Sequence, residues 1–268
     1  MNVITRRILR WISSKSYDDG AKRCNALALN LIVNLKAEKM LDVGCGDGTI
    51  TLEFAKVVKA RSIYGVEFTD EHRTKAEEKG IICVKSDMNE RWDFESNFFD
   101  FILSSQSIEH VHNTRRYLQE CYRCLKPGGV VLVLTANLAS WINIPALVFG
   151  WQPFGTTDIC GWRAIGNPLI WHADLEIIDQ DFLDKYYSAG VIGTVGHVRV
   201  LAYAGLKDLM KKSGFVDIDI YSRGYLPFWG RLSDFFCKLD KRHGYFLIAK
   251  GRKPSLQLKE MLCKPSLR

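Results

Sequence analysis

The stretch Met40-Leu41-Asp42-Val43-Gly44-Cys45-Gly46-Asp47-Gly48-Thr49-Ile50-Thr51 decides the reading of this chain. Met40, Leu41 and Val43 have the continuous apolar character of a strand buried on both faces. Gly44, Gly46 and Gly48 then allow a sharp turn and a close approach of backbone to a ligand. The helical pattern that begins at Thr49 presents free N–H groups at its start, so a ligand is expected there.

The glycine spacing narrows the choice of ligand. In the dinucleotide fingerprint GxGxxG the third glycine stands one residue later, where this chain has Thr49. That spacing disfavours an NAD-dependent oxidoreductase. The segment resembles motif I of the class I S-adenosylmethionine (SAM)-dependent methyltransferases, (D/E)xGxGxG, in Asp42, Gly44, Gly46 and Gly48. A second strand, 62–66, ends in Glu67, where a carboxylate can accept hydrogen bonds from both hydroxyls of a ribose. A third, 81–84, leads into Ser86-Asp87-Met88, and the resemblance implies Asp87 near the adenine amino group and Met88 against the ring. It also implies cofactor contacts at Cys45, Phe68 and Ser104. Strand 99–103, a turn at 125–129 and strand 130–134 follow in the order the family requires. The resemblance spans roughly residues 37–135. It implies an α/β, Rossmann-like, seven-stranded, mostly parallel doubly wound sheet with a reversed last strand, SAM as cofactor and S-adenosylhomocysteine as product.

At 268 residues, 47% of them hydrophobic, the chain suffices for one elaborated α/β domain. No apolar run reaches bilayer-spanning length; the longest, 138–149, is interrupted by Asn143 and Pro145. The eight cysteines are scattered, and several lie in core elements (Cys45, Cys83), which points to a reduced, cytoplasmic setting. Cys121 and Cys124 form a CxxC inside a helical pattern without a second pair at zinc spacing, so no metal site is expected. The net charge of +7 divides into +5 over residues 1–40, +4 over 252–268 and −2 between them. Basic ends on a near-neutral body do not make a nucleic-acid groove.

Five segments are expected: N-terminal helices capping the site (1–36), the SAM-binding core (37–135), a substrate-cap insertion (136–200), completion of the sheet (201–251) and a basic tail (252–268). Ile4, Ile8, Leu9 and Ile12 recur at helical spacing among Arg6, Arg7, Arg10 and Lys15. Such a helix suits an anionic membrane surface, an organelle presequence, or packing over the active-site mouth. The resemblance implies a loop over the SAM pocket at Tyr17, Asp18 and Gly20, before a second helix over 25–35, and Ile50, Phe54 and Val57 read as the buried face of the helix after the glycine loop. The insertion carries Trp141, Trp151, Trp162 and Trp171. Its wording at 137–141, 150–154 and 196–200 resembles methyltransferases of cell-surface polysaccharide assembly.

After the fourth strand comes Ser104-Ser105-Gln106-Ser107-Ile108-Glu109-His110-Val111. Base-amino methyltransferases carry (N/D/S)PP(Y/F) there, and carbon-5 enzymes need a Pro-Cys or Thr-Cys nucleophile; neither occurs. The IEHV wording instead resembles the small-molecule group called type 11 or type 23. His110 and His197 are the candidate bases, since imidazole titrates near neutrality. Glu109 is a similar candidate base, Arg199 a candidate clamp on a phosphate or carboxylate, and His172 and Asp174 are weaker candidates for substrate contact. The expected reaction is direct displacement at the sulfonium methyl by a small-molecule or glycan acceptor, as O-methylation. A quinone or lipid amphiphile is the alternative acceptor, and a non-catalytic SAM-binding subunit the alternative role.

Overall fold

Period-two alternation along the central strands builds two cores, one on each face of a sheet. In β1 (Lys39–Val43), Leu41 and Val43 join one core and Met40 the other. In β4 (Phe99–Ser105), Ile102 opposes Phe101 and Leu103, and in β5 (Leu125–Ala136), Val131 and Val133 oppose Val130, Leu132 and Leu134. The computed structural model describes residues 3–157, 165–169, 197–255 and 257. Helices α4 (Thr114–Cys124) and α6 (Tyr203–Lys212) cover the first face through Tyr117, Leu118, Leu206 and Met210. Helices α1 (Val3–Leu31) and α2 (Thr49–Val58) cover the second through Cys24, Ala28, Phe54 and Val58. Helix α3 (Asp70–Glu78) buries only Ala76, as its charged sequence leads one to expect.

With β2 (Ser62–Val66), β3 (Ile82–Val84), β6 (Val216–Arg223) and β7 (Phe246–Arg252), the seven strands run in the order β3-β2-β1-β4-β5-β7-β6. Strand β7 is antiparallel to both neighbours, and the pairs β1–β2, β1–β4, β2–β3 and β4–β5 are parallel. The expected reversed strand is therefore present. The order reverses direction between β1 and β4, so the carboxyl ends of those two strands flank the crevice where an open α/β sheet binds ligands.

Three local readings are corrected. The N-terminal segment is one helix of 29 residues, with Tyr17, Asp18 and Gly20 inside it. Gly20 is there because α1 crosses a turn at Gly224: an added Cβ would stand 2.7 Å from Gly224 Cα. Residues 125–129 belong to β5 and form an irregularity in its pairing with β4, in place of a free turn. Ile50 is exposed, and the buried residues of α2 are Thr51, Phe54, Ala55 and Val58. Of the insertion, α5 (Asn143–Val148) is described, whereas Trp162, Trp171, His172 and Asp174 lie outside the described residues.

Gly48 caps α2 at φ 79, and a Cβ there would press on Ile81 Cδ1 and come within 3.4 Å of Ala76 Cα. Left-handed backbone and overpacking each cost on the order of 1–2 kcal/mol for a residue with a side chain. Gly48→Ala is expected to lower unfolding stability by about 3 kcal/mol in urea titrations; a loss well under 1 kcal/mol would show that the loop relaxes around it.

Candidate active site

The glycine loop is stitched to the neighbouring strand before any ligand is considered. Gly44 N and Cys45 N both donate to the Val66 carbonyl, at 2.8 and 3.1 Å. One residue further along each strand, Gly46 N donates to Glu67 Oε2 at 3.0 Å. Glu67 Oε1 accepts from Thr69 N at 2.8 Å and Thr69 Oγ1 at 2.7 Å. A carboxylate has about four acceptor positions. These three bonds fix the Glu67 side chain at the lip of the loop and leave Oε2 with capacity for a hydroxyl.

Beneath the loop, Asp42 is almost fully buried. Its Oδ2 accepts from Thr51 Oγ1 at 2.6 Å, while Oδ1 has no partner. Burial pushes this carboxyl up to about 7, opposed by the Thr51 hydrogen bond. Thr51 thus holds the buried place on α2 expected of Ile50, because its hydroxyl answers Asp42.

Asp87 is exposed, with Oδ1 accepting from Asn89 N at 2.8 Å and Nδ2 at 2.9 Å. Met88 packs on the core beside Gly44, its sulfur 3.3 Å from where a Cβ on that glycine would lie. Nothing lies within 4 Å of a Cβ built on Gly46. The loop is therefore open above Gly46, with Glu67 at its lip and Met88 beside Gly44. Open backbone in the middle and an accepting carboxylate at the lip suit the hydroxyls of a nucleoside ligand.

Two expected contacts are placed otherwise. Ser104 is fully buried, its hydroxyl accepting from Tyr117 under α4 at 2.8 Å. The Cys45 side chain points across β2, its sulfur 4.0 Å from Cys83 Sγ, and its amide is taken by Val66. Neither side chain faces the open loop.

The second half of the site stands at the end of β4. Gln106 turns the chain at φ 52, and a short 3₁₀ turn, Ile108–His110, follows. Glu109 is fully buried: Oε2 accepts from Thr135 Oγ1 at 2.8 Å, and Oε1 has no partner. Burial raises its carboxyl to about 7. The Glu109 carbonyl accepts from Val198 N at 2.8 Å and Arg199 N at 3.0 Å, and Arg199 Nε donates to the His112 carbonyl. Arg199 is thus a pin between the two segments.

This pinning brings His197 to His110, with ring centroids 4.9 Å apart and planes at 75°. His197 Nδ1 lies 2.7 Å from the Gly155 carbonyl, which can only accept, so Nδ1 carries a proton, and in the neutral ring Nε2 is the basic nitrogen. One donor atom each of Glu109, His110 and His197 lies within 4.8 Å of the others. Tyr17 of α1 reaches this region as well, its phenol raised by burial, then by the charges of Asp18 and Glu109. The Gly155 contribution carries no local sequence signal, since it depends on segments far apart in the chain.

With both halves of the site in place, comparison with known proteins gives a consistent result. Residues 41–133 match the family model described as a methyltransferase domain. The chain is 30% identical over 160 residues to a ubiquinone biosynthesis O-methyltransferase of Dinoroseobacter shibae, covering 54% of this chain and 62% of that protein. It is 29% identical over 130 residues to the mitochondrial ubiquinone biosynthesis O-methyltransferase of the rat, covering 45% of this chain and 37% of that one. The match thus spans little more than a third of the rat protein. A SAM-dependent methyltransferase of Mesorhizobium loti superposes with a TM-score of 0.54 at 17% identity, over 86% of this chain and 98% of that one. Residues 41–133 thus form a methyltransferase domain, and the chain has the fold of the class I methyltransferases.

Two outcomes check the cradle. Glu67→Ala removes a charged hydrogen-bonding group worth about 2 kcal/mol, so calorimetric binding of S-adenosylhomocysteine is expected to weaken roughly thirty-fold; unchanged affinity would remove Glu67 from the site. For Asp42, the folded carboxyl holds its proton from its ordinary value of 3.8 up to about 7, whereas the unfolded one does not. Stability from this group is therefore complete below 3.8 and lost as pH rises through about 7. Melting temperatures of the wild type should fall over that window relative to Asp42→Asn, and parallel curves would contradict the assignment.

Proposed function

We propose that the chain transfers a methyl group from SAM to a hydroxyl of a small amphiphilic acceptor, a phenol on the way to a quinone. The observation that carries this reading is the His110–His197 pair at the carboxyl end of β4, with Glu109 buried beside it. The names of the relatives, ubiquinone biosynthesis O-methyltransferases, support the acceptor class. The glycan acceptor rests only on the wording of the cap segments.

SAM supplies a methyl already activated by a positive sulfur. The chain's part is to align the acceptor oxygen, exclude water and take the proton that this oxygen loses as its bond to carbon forms. A phenol with an ordinary pKa of about 10 keeps its proton at neutrality, so a nearby imidazole lone pair lowers the barrier. His197 Nε2 is such a lone pair, because the Gly155 carbonyl holds the ring in the tautomer protonated at Nδ1. The imidazolium that results lies beside the Glu109 carboxyl, which favours the charged ring once ionised. His110 shares the proton or orients the acceptor from the opposite side of the pair.

The three clustered donors are also a set that suits a divalent cation, which would polarise the acceptor oxygen in place of a base. Chelation separates the two readings: a chelator leaves turnover intact if the imidazoles act as bases, and stops it reversibly if a cation is needed.

Labelled methyl from SAM should enter a prenylated phenol bearing a free ring hydroxyl, and enter free sugars far less. His197→Ala and His110→Ala are each expected to lower turnover by roughly 10²- to 10⁴-fold with S-adenosylhomocysteine affinity preserved. Full turnover in both variants would sink the base assignment. Binding of S-adenosylhomocysteine without transfer to any acceptor would replace the enzyme reading by that of a SAM-binding subunit.

A further inference from the structure

Helix α7 (Gly230–Leu239) has its amphipathicity turned outward. Its buried residues are Ser233 and Cys237, while Leu232, Phe235 and Leu239 are 50%, 54% and 70% exposed. The first half of α1 does the same, burying Ser13 and Ser16 and exposing Ile4, Ile8 and Trp11. The two apolar stripes meet where Trp11 packs edge-on against Trp229 at 5.9 Å, with Lys15 Nζ 5.0 and 4.6 Å from the two ring centroids. Their mutual orientation is fixed. Arg23 pairs with Asp234 at 2.7 Å, Gly230 N donates to Asp19 at 2.8 Å, and Ser16 Oγ donates to the Phe228 carbonyl at 2.9 Å. An exposed aromatic and aliphatic patch of this kind marks an interaction surface.

Charge selects the partner. The chain has no acidic residue before Asp18, and Arg6, Arg7 and Lys15 are exposed. Arg231, Lys238, Lys241 and Arg242 are exposed on and after α7. The acids of that segment are already paired: Asp234 with Arg23 and Arg223, Asp240 with His243. The patch therefore presents an apolar centre under a surplus of positive charge. A second copy placed on it by a two-fold axis would bring like charges together. An anionic lipid surface takes both the apolar side chains and the charge. Among the described residues no helix is long and apolar enough to cross a membrane, so the attachment is at the surface.

We propose that the α1–α7 face docks on an anionic lipid bilayer, with Ile8, Trp11, Phe235 and Leu239 entering the headgroup boundary and the basic side chains around them on lipid phosphates. The cap shares this helix: Arg6 and Arg10 donate through Nε to the Pro168 carbonyl at 2.8 and 3.3 Å. Docking would hold the cap at the layer into which an amphiphile partitions, a consequence that rests on the acceptor reading, whereas the docking itself does not.

The test is sedimentation of the full chain with vesicles of phosphatidylcholine alone or mixed with phosphatidylglycerol, without SAM or acceptor. Binding is expected to the mixed vesicles, weakened by salt. Arg7→Gln with Lys238→Gln should weaken it roughly twenty-five-fold, about five-fold for each charge near the surface. Phe235→Ser with Leu239→Ser should weaken it at least about ten-fold. Both pairs are exposed, and unchanged melting temperatures confirm that the fold is kept. No binding to mixed vesicles, or equal binding to both compositions, would overturn the proposal. So would a concentration-dependent dimer that Phe235→Ser with Leu239→Ser abolishes, which would assign the face to a second copy.

Discussion

Two amide hydrogen bonds into one carbonyl hold the candidate site together. Val198 N and Arg199 N both donate to Glu109 O, and the same residue is anchored by its side chain to Thr135 on β5. Glu109 therefore ties the end of β4, the adjoining strand and the returning end of the insertion at one buried point. The carboxylate carries a cost: burial disfavours its charged form and raises its pKa to about 7, opposed by hydrogen bonds that include the one from Thr135. A buried group with that pKa, beside two imidazoles, is common at sites that move protons.

The rest of the structure keeps this point in register with the glycine loop. Strands β1 and β4 are direct neighbours, so the loop after β1 and the turn after β4 open on the same edge of the sheet. Asn137 fixes the beginning of the insertion as Glu109 fixes its end. Its Nδ2 donates to the carbonyls of Arg242 and Gly244, both at 2.7 Å, and its Oδ1 accepts from Ala139 N. Asn89 joins the third wall by accepting from His112 N and Asn113 N at the start of α4. Each link is a polar side chain satisfying backbone groups at a strand end, where no ladder partner is available.

What was legible in the sequence follows the range of the forces involved. The apolar strands, the glycine loop and Glu67 are local, and the sheet order and cradle were legible through the family resemblance that they carry. The loop at Tyr17, Asp18 and Gly20 was an expectation of the resemblance; Gly20 lies instead within α1, at its close approach to Gly224, some two hundred residues away. Ile50 read as core by hydropathy, whereas a buried hydroxyl at Thr51 was needed to satisfy Asp42. Ser104 and Cys45 followed the family pattern in position, but Tyr117 and Cys83 draw their side chains elsewhere. His110 and His197 were singled out separately as imidazoles near neutrality. That they touch depends on the Glu109 carbonyl, a backbone interaction with no residue-type signature.

The central claim is that the two histidines act as one unit assembled by this pinning. A double-mutant cycle on turnover with a prenylated phenol, using His110→Ala, His197→Ala and the combined variant, tests it most directly. The account predicts strong non-additivity, the double variant losing about as much as the more damaging single one. Losses that simply add in free energy would contradict it, showing two independent groups that happen to lie 4.9 Å apart.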